Sequence, residues 1–163
     1  MDAYTCIRTK RDSRNYTGQA IPEETAQRIL QAGRMAGSSK NTQPWAFVVL
    51  RDQARKAELA ACGQFATHVP SAPLVVAVVL LPNGGEFDGG RAAQNMMLAA
   101  WAEGITSCPV AMHDRECASK VLGLPEGHRV SIVIAFGYPE SEQSLHRGVA
   151  RTPLPELVHE ERW

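Results

Sequence analysis

Residues 74–81, Leu-Val-Val-Ala-Val-Val-Leu-Leu, carry no polar side chain. Valine dominates the run, and its length suits a strand better than a helix. A strand that alternates apolar and polar residues needs one covered face; this one needs two. The fold must therefore set it inside a sheet with helices packed on both sides. A second segment points the same way. Residues 91–103 read as a helix that is apolar nearly all round (Met96, Met97, Leu98, Ala99, Ala100, Trp101, Ala102) and stops at Gly104. Such a helix belongs inside a structure rather than on its surface.

The other elements fit around these two. Pro22, Glu23 and Glu24 open a helix whose apolar positions Ala26, Ile29, Leu30, Gly33 and Ala36 keep helical spacing, with Gly37 as its stop. Residues 46–50 form a strand, and Asp52 caps a short helix running to Cys62. A strand follows at 107–111, then a helix at 114–122 ended by Gly123, then a strand at 130–136. Pro109 cannot donate to a ladder, so its strand lies at an edge or where backbone amides face a ligand. A short helix is expected at 155–159. The glycine-rich stretch 84–90 lacks both the Walker lysine and a G-x-G-x-x-G between strand and helix, and reads as a flexible connection. The sum is one α+β domain spanning residues 1–163, long enough to bury roughly 70% of its surface.

Seventeen basic residues balance seventeen acidic ones, so overall charge argues for neither nucleic acid nor a membrane surface as partner. No apolar run is long enough to span a bilayer. The four cysteines (Cys6, Cys62, Cys108, Cys117) form no C-x-x-C pair, and the five histidines show no metal-ligand spacing. The thiols are accordingly expected to be reduced, the compartment cytoplasmic, and no metal bound. The N-terminus shows no basic region followed by an apolar run, so no signal peptide is expected.

Two polar clusters call for chemistry. Residues 38–45, Ser-Ser-Lys-Asn-Thr-Gln-Pro-Trp, set two hydroxyls and two amides on a helix-to-strand connection. Asn41 and Gln43 offer the alternating donors and acceptors that suit the edge of a flavin pyrimidine. An ordinary turn with capping serines would read the same way. Upstream, a helical turn would put Lys10 and Arg14 on one face with Arg11 nearby. The choice there lies between an exposed basic face and a phosphate site, which arginine serves with two parallel hydrogen bonds. Nothing resembles a nucleophilic triad.

Six motifs in order then resemble the FMN-dependent nitroreductase family. Residues 10–16 (Lys-Arg-Asp-Ser-Arg-Asn-Tyr) are similar to its opening R-R-S-x-R-x-F, and residues 37–45 to P-S-S-x-N-x-Q-P-W. Residues 94–100 with Gly104 resemble its central helix. Leu122-Gly123-Leu124-Pro125, Phe136-Gly137-Tyr138-Pro139 and the stretch from Arg151 to Leu154 complete the order. The resemblance implies a central mixed, mainly antiparallel sheet flanked by helices, in an interlocked homodimer with two FMN sites at its interface. By position, Lys10, Arg11, Asp12 and Arg151 would face the phosphate and Arg14 the pyrimidine edge. Ser38, Ser39 and Asn41 would reach the flavin from the partner subunit. Pro109 and Val110 would lie against the ring, with the amides of Ala111 and Met112 near N5. Three departures stand out: Asp12 replaces a serine, Gly37 replaces a proline, and the span 81–88 is too short for the helical excursion of longer members.

The activity so implied is a two-step reduction, with NADPH or NADH as donor and nitroaromatics, quinones or similar electron-poor molecules as acceptors. The chemistry is the cofactor's, so no side chain is named as obligatory acid or base. The rival is an FMN-binding sensor or carrier with little turnover. A nicotinamide-only dehydrogenase lacks its phosphate-binding fingerprint here.

Overall fold

The apolar run becomes the strand Leu74–Leu80, every residue of which is buried. The computed structural model describes residues 1–145 and 150–163. In chain order its helices and strands are α1 (Ala3–Thr9), α2 (Glu23–Arg34), β1 (Trp45–Leu50), α3 (Gln53–Ala61), β2 (Leu74–Leu80), α4 (Glu86–Ala102), β3 (Thr106–Val110), α5 (Arg115–Leu122), β4 (Arg129–Gly137) and α6 (Leu154–Leu157). Among the described residues no helix is long and apolar enough to cross a membrane.

The four strands form one sheet in the order β1-β2-β4-β3, with every neighbouring pair antiparallel. β2 is central, as a strand apolar on both faces must be. Its alternate residues feed two cores. Leu74, Val76 and Val78 pack with Ile134, Phe136, Ile29 and Met96 beneath α2 and α4. Val75 and Ala77 pack with Val133, Ala135, Leu59 and Ala118 beneath α3 and α5. Fully burying one side chain the size of Phe136 contributes about 1.5–3 kcal/mol. The α+β, mainly antiparallel architecture read from the sequence is the one observed; the parallel element is an isolated bridge between Asp12 and Ser107.

Five expectations need correction. The glycine-rich stretch is only in part a loop, because residues 86–90 form the first turns of α4. Glu86 and Asp88 favour that helix start electrostatically. A Cβ on Gly89 would stand 3.0 Å from Leu80 Cδ2, so this glycine lets the helix approach the sheet. Gly37 is not the stop of α2, which ends at Arg34 with Met35 as its cap. At Gly37 the Arg91 guanidinium packs close to the backbone, where a Cβ would lie 2.5 Å from Arg91 Nη2. Residues 10–14 make no helical turn, because Lys10 ends α1 and Asp12 runs beside Ser107. The short last helix begins at Leu154 and ends at Leu157. Finally, two of the four thiols are not free. Cys62 and Cys117 form a disulfide across a sequence separation of 55, with Cα atoms 5.7 Å apart. The packing of α3 against α5 creates that proximity, and no local spacing could announce it.

Candidate functional site

The N-terminal segment reaches the sheet through backbone bonds. Asp2 caps α1 by accepting from the Thr5 amide at 3.1 Å, and the helix buries only Cys6. Beyond it, Thr106 Oγ1 donates to the Arg11 carbonyl at 3.0 Å. The Ser13 hydroxyl accepts from the Asn15 amide at 3.1 Å, turning the chain, and Thr17 then donates to the Tyr138 carbonyl at 2.9 Å. The result is an irregular segment laid along β3, which is an edge strand as the proline in it required.

Between segment and edge lies a cleft of about 310 Å3, lined by residues 12–15, Cys108, Pro109 and Ser144. Its charges are unequally committed. The Lys10 ammonium is held by Asp12. Arg11 Nη1 donates to the carbonyls of Arg8 at 3.1 Å and Lys10 at 2.8 Å, satisfying acceptors that the end of α1 leaves open. Arg14 is exposed and makes no ion pair among the described residues.

The groups behind Arg14 are neutral. Burial pushes the Cys108 thiol up, against the opposing pull of Arg14. Burial likewise raises the Tyr16 phenol. The His68 imidazole is lowered first by burial and then by the Arg14 charge. Neither ring nitrogen of His68 finds a hydrogen-bond partner among the described residues. Arg14 thus stands at the mouth of a cleft whose lining includes the buried Ser13 and Cys108, with the Asp12 carboxylate beside them.

The second cluster sits elsewhere. Ser38 Oγ accepts from the Gln43 amide at 2.8 Å, closing a tight loop before β1. Lys40, Asn41 and Gln43 have φ of 50°, 54° and 48°, the left-handed region that side chains larger than glycine seldom occupy. Ser39 and Asn41 are exposed. This loop leads into one edge strand, β1, whereas the cleft lies on the other, β3. Trp45 pairs with Leu80 at one end of β2, while Ser107 pairs with Phe136 level with Leu74 at the other. One chain therefore brings Lys10, Arg11, Asp12, Arg14 and Pro109 together, and keeps Ser38, Ser39 and Asn41 away.

At the exit of β3, Val110 and Met112 turn their side chains into the core beneath α3 and α5. Pro109 is half-buried and Ala111 exposed, so a ligand there meets the proline and the backbone. Arg151 is exposed on the C-terminal tail and does not line the cleft. Sequence reasoning did not single out His68, Cys108 or Ser144 as site residues. Ser144 approaches Ser13 at 3.4 Å from 131 residues away, and no local pattern carries such a contact.

The pattern of the Nitroreductase family matches residues 7–81 and 81–138. The chain belongs to this family. A protein of Archaeoglobus fulgidus with a provisional NADH dehydrogenase/NAD(P)H nitroreductase name is 31% identical, over 96% of either chain. The NADPH-flavin oxidoreductase of Vibrio harveyi is 28% identical over 96% of this chain and 72% of its own length. Among solved structures, an NADPH:FMN oxidoreductase from Vibrio harveyi complexed with NAD+ superposes with a TM-score of 0.90 at 26% identity, covering 98% of this chain and 77% of that one. The nitroreductase fold is thus shared along nearly the whole chain, and the cleft on β3 is the place in this family member where an exposed arginine, a strand-edge proline and buried neutral groups converge.

Proposed function

We propose that residues 1–163 act as one FMN-binding oxidoreductase domain that takes electrons from NADPH or NADH and passes them to nitroaromatic, quinone or similar electron-poor acceptors. When bound, the flavin supplies the two-electron chemistry at N5. The single observation that carries the reading is Arg14, a cation without a carboxylate partner among the described residues, at the mouth of a cleft along an edge strand. A cleft of this volume stands at the low end for a ligand site, as a half-site would.

The residues fit such a cofactor. Arg14 would place positive charge at the pyrimidine edge and favour an electron-rich ring. Pro109 offers an apolar face with no amide to pair, and the backbone at Ala111 and Met112 follows it. Lys10 and Arg11 lie on the same segment and would turn to the phosphate on leaving Asp12 and the backbone carbonyls that hold them; Arg151, outside the cleft here, would join them from the tail. Ser38, Ser39 and Asn41 would complete the site from a second copy of the chain, since their own copy holds them at the opposite sheet edge. The acceptor is expected to enter freely, because the connection between β2 and α4 is short.

An absorbance spectrum of the purified protein with FMN, before and after anaerobic NADPH and then NADH, tests this. Retained flavin that bleaches quickly is the expected result and reveals the donor. Retained flavin that stays oxidised with both donors would favour a carrier or sensor. No retained flavin would end the proposal.

A further inference from the structure

Two departures from the family pattern meet at one place. Gly37 stands where the pattern has proline, and only residues 81–85 separate β2 from α4. The glycine leaves room for Arg91, since a Cβ at position 37 would stand 2.5 Å from its Nη2. The short connection puts Phe87 in the first turn of α4, where it is 77% exposed. Phe87 and Arg91 are four residues apart and share a helix face. The Arg91 guanidinium lies over the Phe87 ring, 5.7 Å from its centroid. An arginine stacked in this way sets its planar face on the ring and keeps the N–H groups at its edge for an acceptor. Arg91 makes no ion pair among the described residues.

A pocket of about 400 Å3 opens around this pair, with Gly37, Gly90 and Gln94 also in its lining. The volume suits a small aromatic molecule. A Cβ built on Gly90 meets nothing within 4 Å, so a flat molecule has room to approach the backbone there. Gln94, one turn beyond Arg91, adds an exposed amide. The carboxylate in the lining is that of Glu86, and it is turned towards β4. It accepts from the Ser131 hydroxyl and faces Arg129 Nε at 3.7 Å. The uncommitted charge of the pocket is therefore positive.

We infer that this pocket is a subsite for planar acceptors that carry a carboxylate, which Arg91 takes at the edge of its guanidinium while the aromatic part lies along Phe87. A carboxylate matches the arginine fork with two parallel hydrogen bonds. A neutral amide of the same shape offers one acceptor atom and no charge. The pocket begins one residue before Ser38, at the start of the loop that the proposed function brings to the Arg14 cleft of a second copy. Placement of the acceptor beside the flavin rests on that reading, whereas the preference for an anion rests on Arg91. Gly37 is then a positioning residue that acts through Arg91.

The probes are 4-nitrobenzoate and 4-nitrobenzamide, which share a ring and a size and differ in charge. Binding to the purified full chain is followed by NMR at the Arg91 Nε–H signal, and kcat/KM for each probe is measured with FMN and a nicotinamide donor. The native chain should bind the carboxylate roughly 10-fold tighter than the amide, with a shift of the Arg91 signal. Arg91→Ala should remove the preference and lower the kcat/KM ratio of the two probes by a similar factor. Its thermal midpoint should hold, because the side chain is exposed. Gly37→Ala keeps the charge but displaces the guanidinium, so it should reduce the preference as well, which a general effect of net charge would not do. Equal binding of the two probes by the native chain overturns the inference, as does a preference untouched by either substitution. Adenosine 2′-monophosphate binding at Arg91 more tightly than 4-nitrobenzoate would give the pocket to the donor's phosphate and overturn it too. If no flavin is retained and neither probe is reduced, the proposed function falls, and the binding preference still decides the subsite.

Discussion

Asp12 stands where the family pattern has serine, and its carboxylate holds the Lys10 ammonium. A cation already neutralised attracts a phosphate less than a free one. Replacing Asp12 with Ser should therefore raise FMN affinity by about 3–10-fold, corresponding to about 0.7–1.4 kcal/mol, measured by quenching of flavin fluorescence. Weaker binding by Asp12→Ser would mean that the carboxylate positions Lys10 instead of competing for it. The sequence displayed the odd aspartate but not its partner, since Arg11 is the nearer cation in the chain and Lys10 is the one it holds. His68 gave no signal at all. It is buried, its ring nitrogens lack partners among the described residues, and its pKa is lowered from the ordinary 6.5 by burial and Arg14. The folded state thus resists a proton that the unfolded chain accepts. Stability conferred by neutral His68 is intact above pH 6.5 and falls as pH drops from there towards the lower folded-state pKa. The thermal midpoint should decline as pH falls below 6.5 in the native chain and decline less in His68→Asn. Equal slopes in the two proteins would refute the assignment.

The elements that could be read from sequence are those whose burial writes a periodic pattern. β2 is apolar throughout and buried throughout, whereas α4 buries one face on the sheet and leaves Leu98, Ala99 and Trp101 half-buried and Ala102 exposed. Of the two readings Pro109 left open, an edge or a place where amides face a ligand, the edge is observed. What escaped was set by tertiary contact. α1 buries one residue and so shows no stripe. The glycines before Arg91 imitate a loop because Gly89 must fit against Leu80 and Ser131. Gly90, its neighbour, meets nothing within 4 Å. The two glycines therefore make an internal control. Gly90→Ala should gain about 0.5–1 kcal/mol of helix propensity and raise the thermal midpoint by about 1–4 °C. Gly89→Ala gains the same propensity but forces Leu80 Cδ2 and the Ser131 hydroxyl aside, so it should be neutral or destabilising. Similar melting shifts for the two variants would mean that residues 86–90 are not helical against the sheet.

At the scale of the molecule, the two polar clusters divide between opposite edges of one sheet. Apolar surface is left over in the same chain. Tyr4 and Ile7 of α1 are exposed, as are Leu154, Leu157 and Val158 in and after α6, and Trp163 is fully exposed. Exposed apolar groups concentrated near both ends of the chain favour contact with another molecule. A second copy of this chain would cover them and also bring a Ser38–Asn41 loop to each Arg14 cleft. The notion can be tested by complementation. Arg14→Ala and Asn41→Ala should each weaken FMN binding as homodimers. In a two-fold dimer whose sites each draw Arg14 from one chain and Asn41 from the other, a mixed dimer of the two variants holds one doubly altered site and one intact site. Random remixing of equal amounts should then restore tight binding at about a quarter of all sites. Equilibrium dialysis with FMN before and after unfolding and refolding the mixture gives that fraction. If Arg14 and Asn41 served a site within a single chain, every site in every mixed dimer would carry one altered residue, and no tight binding would return.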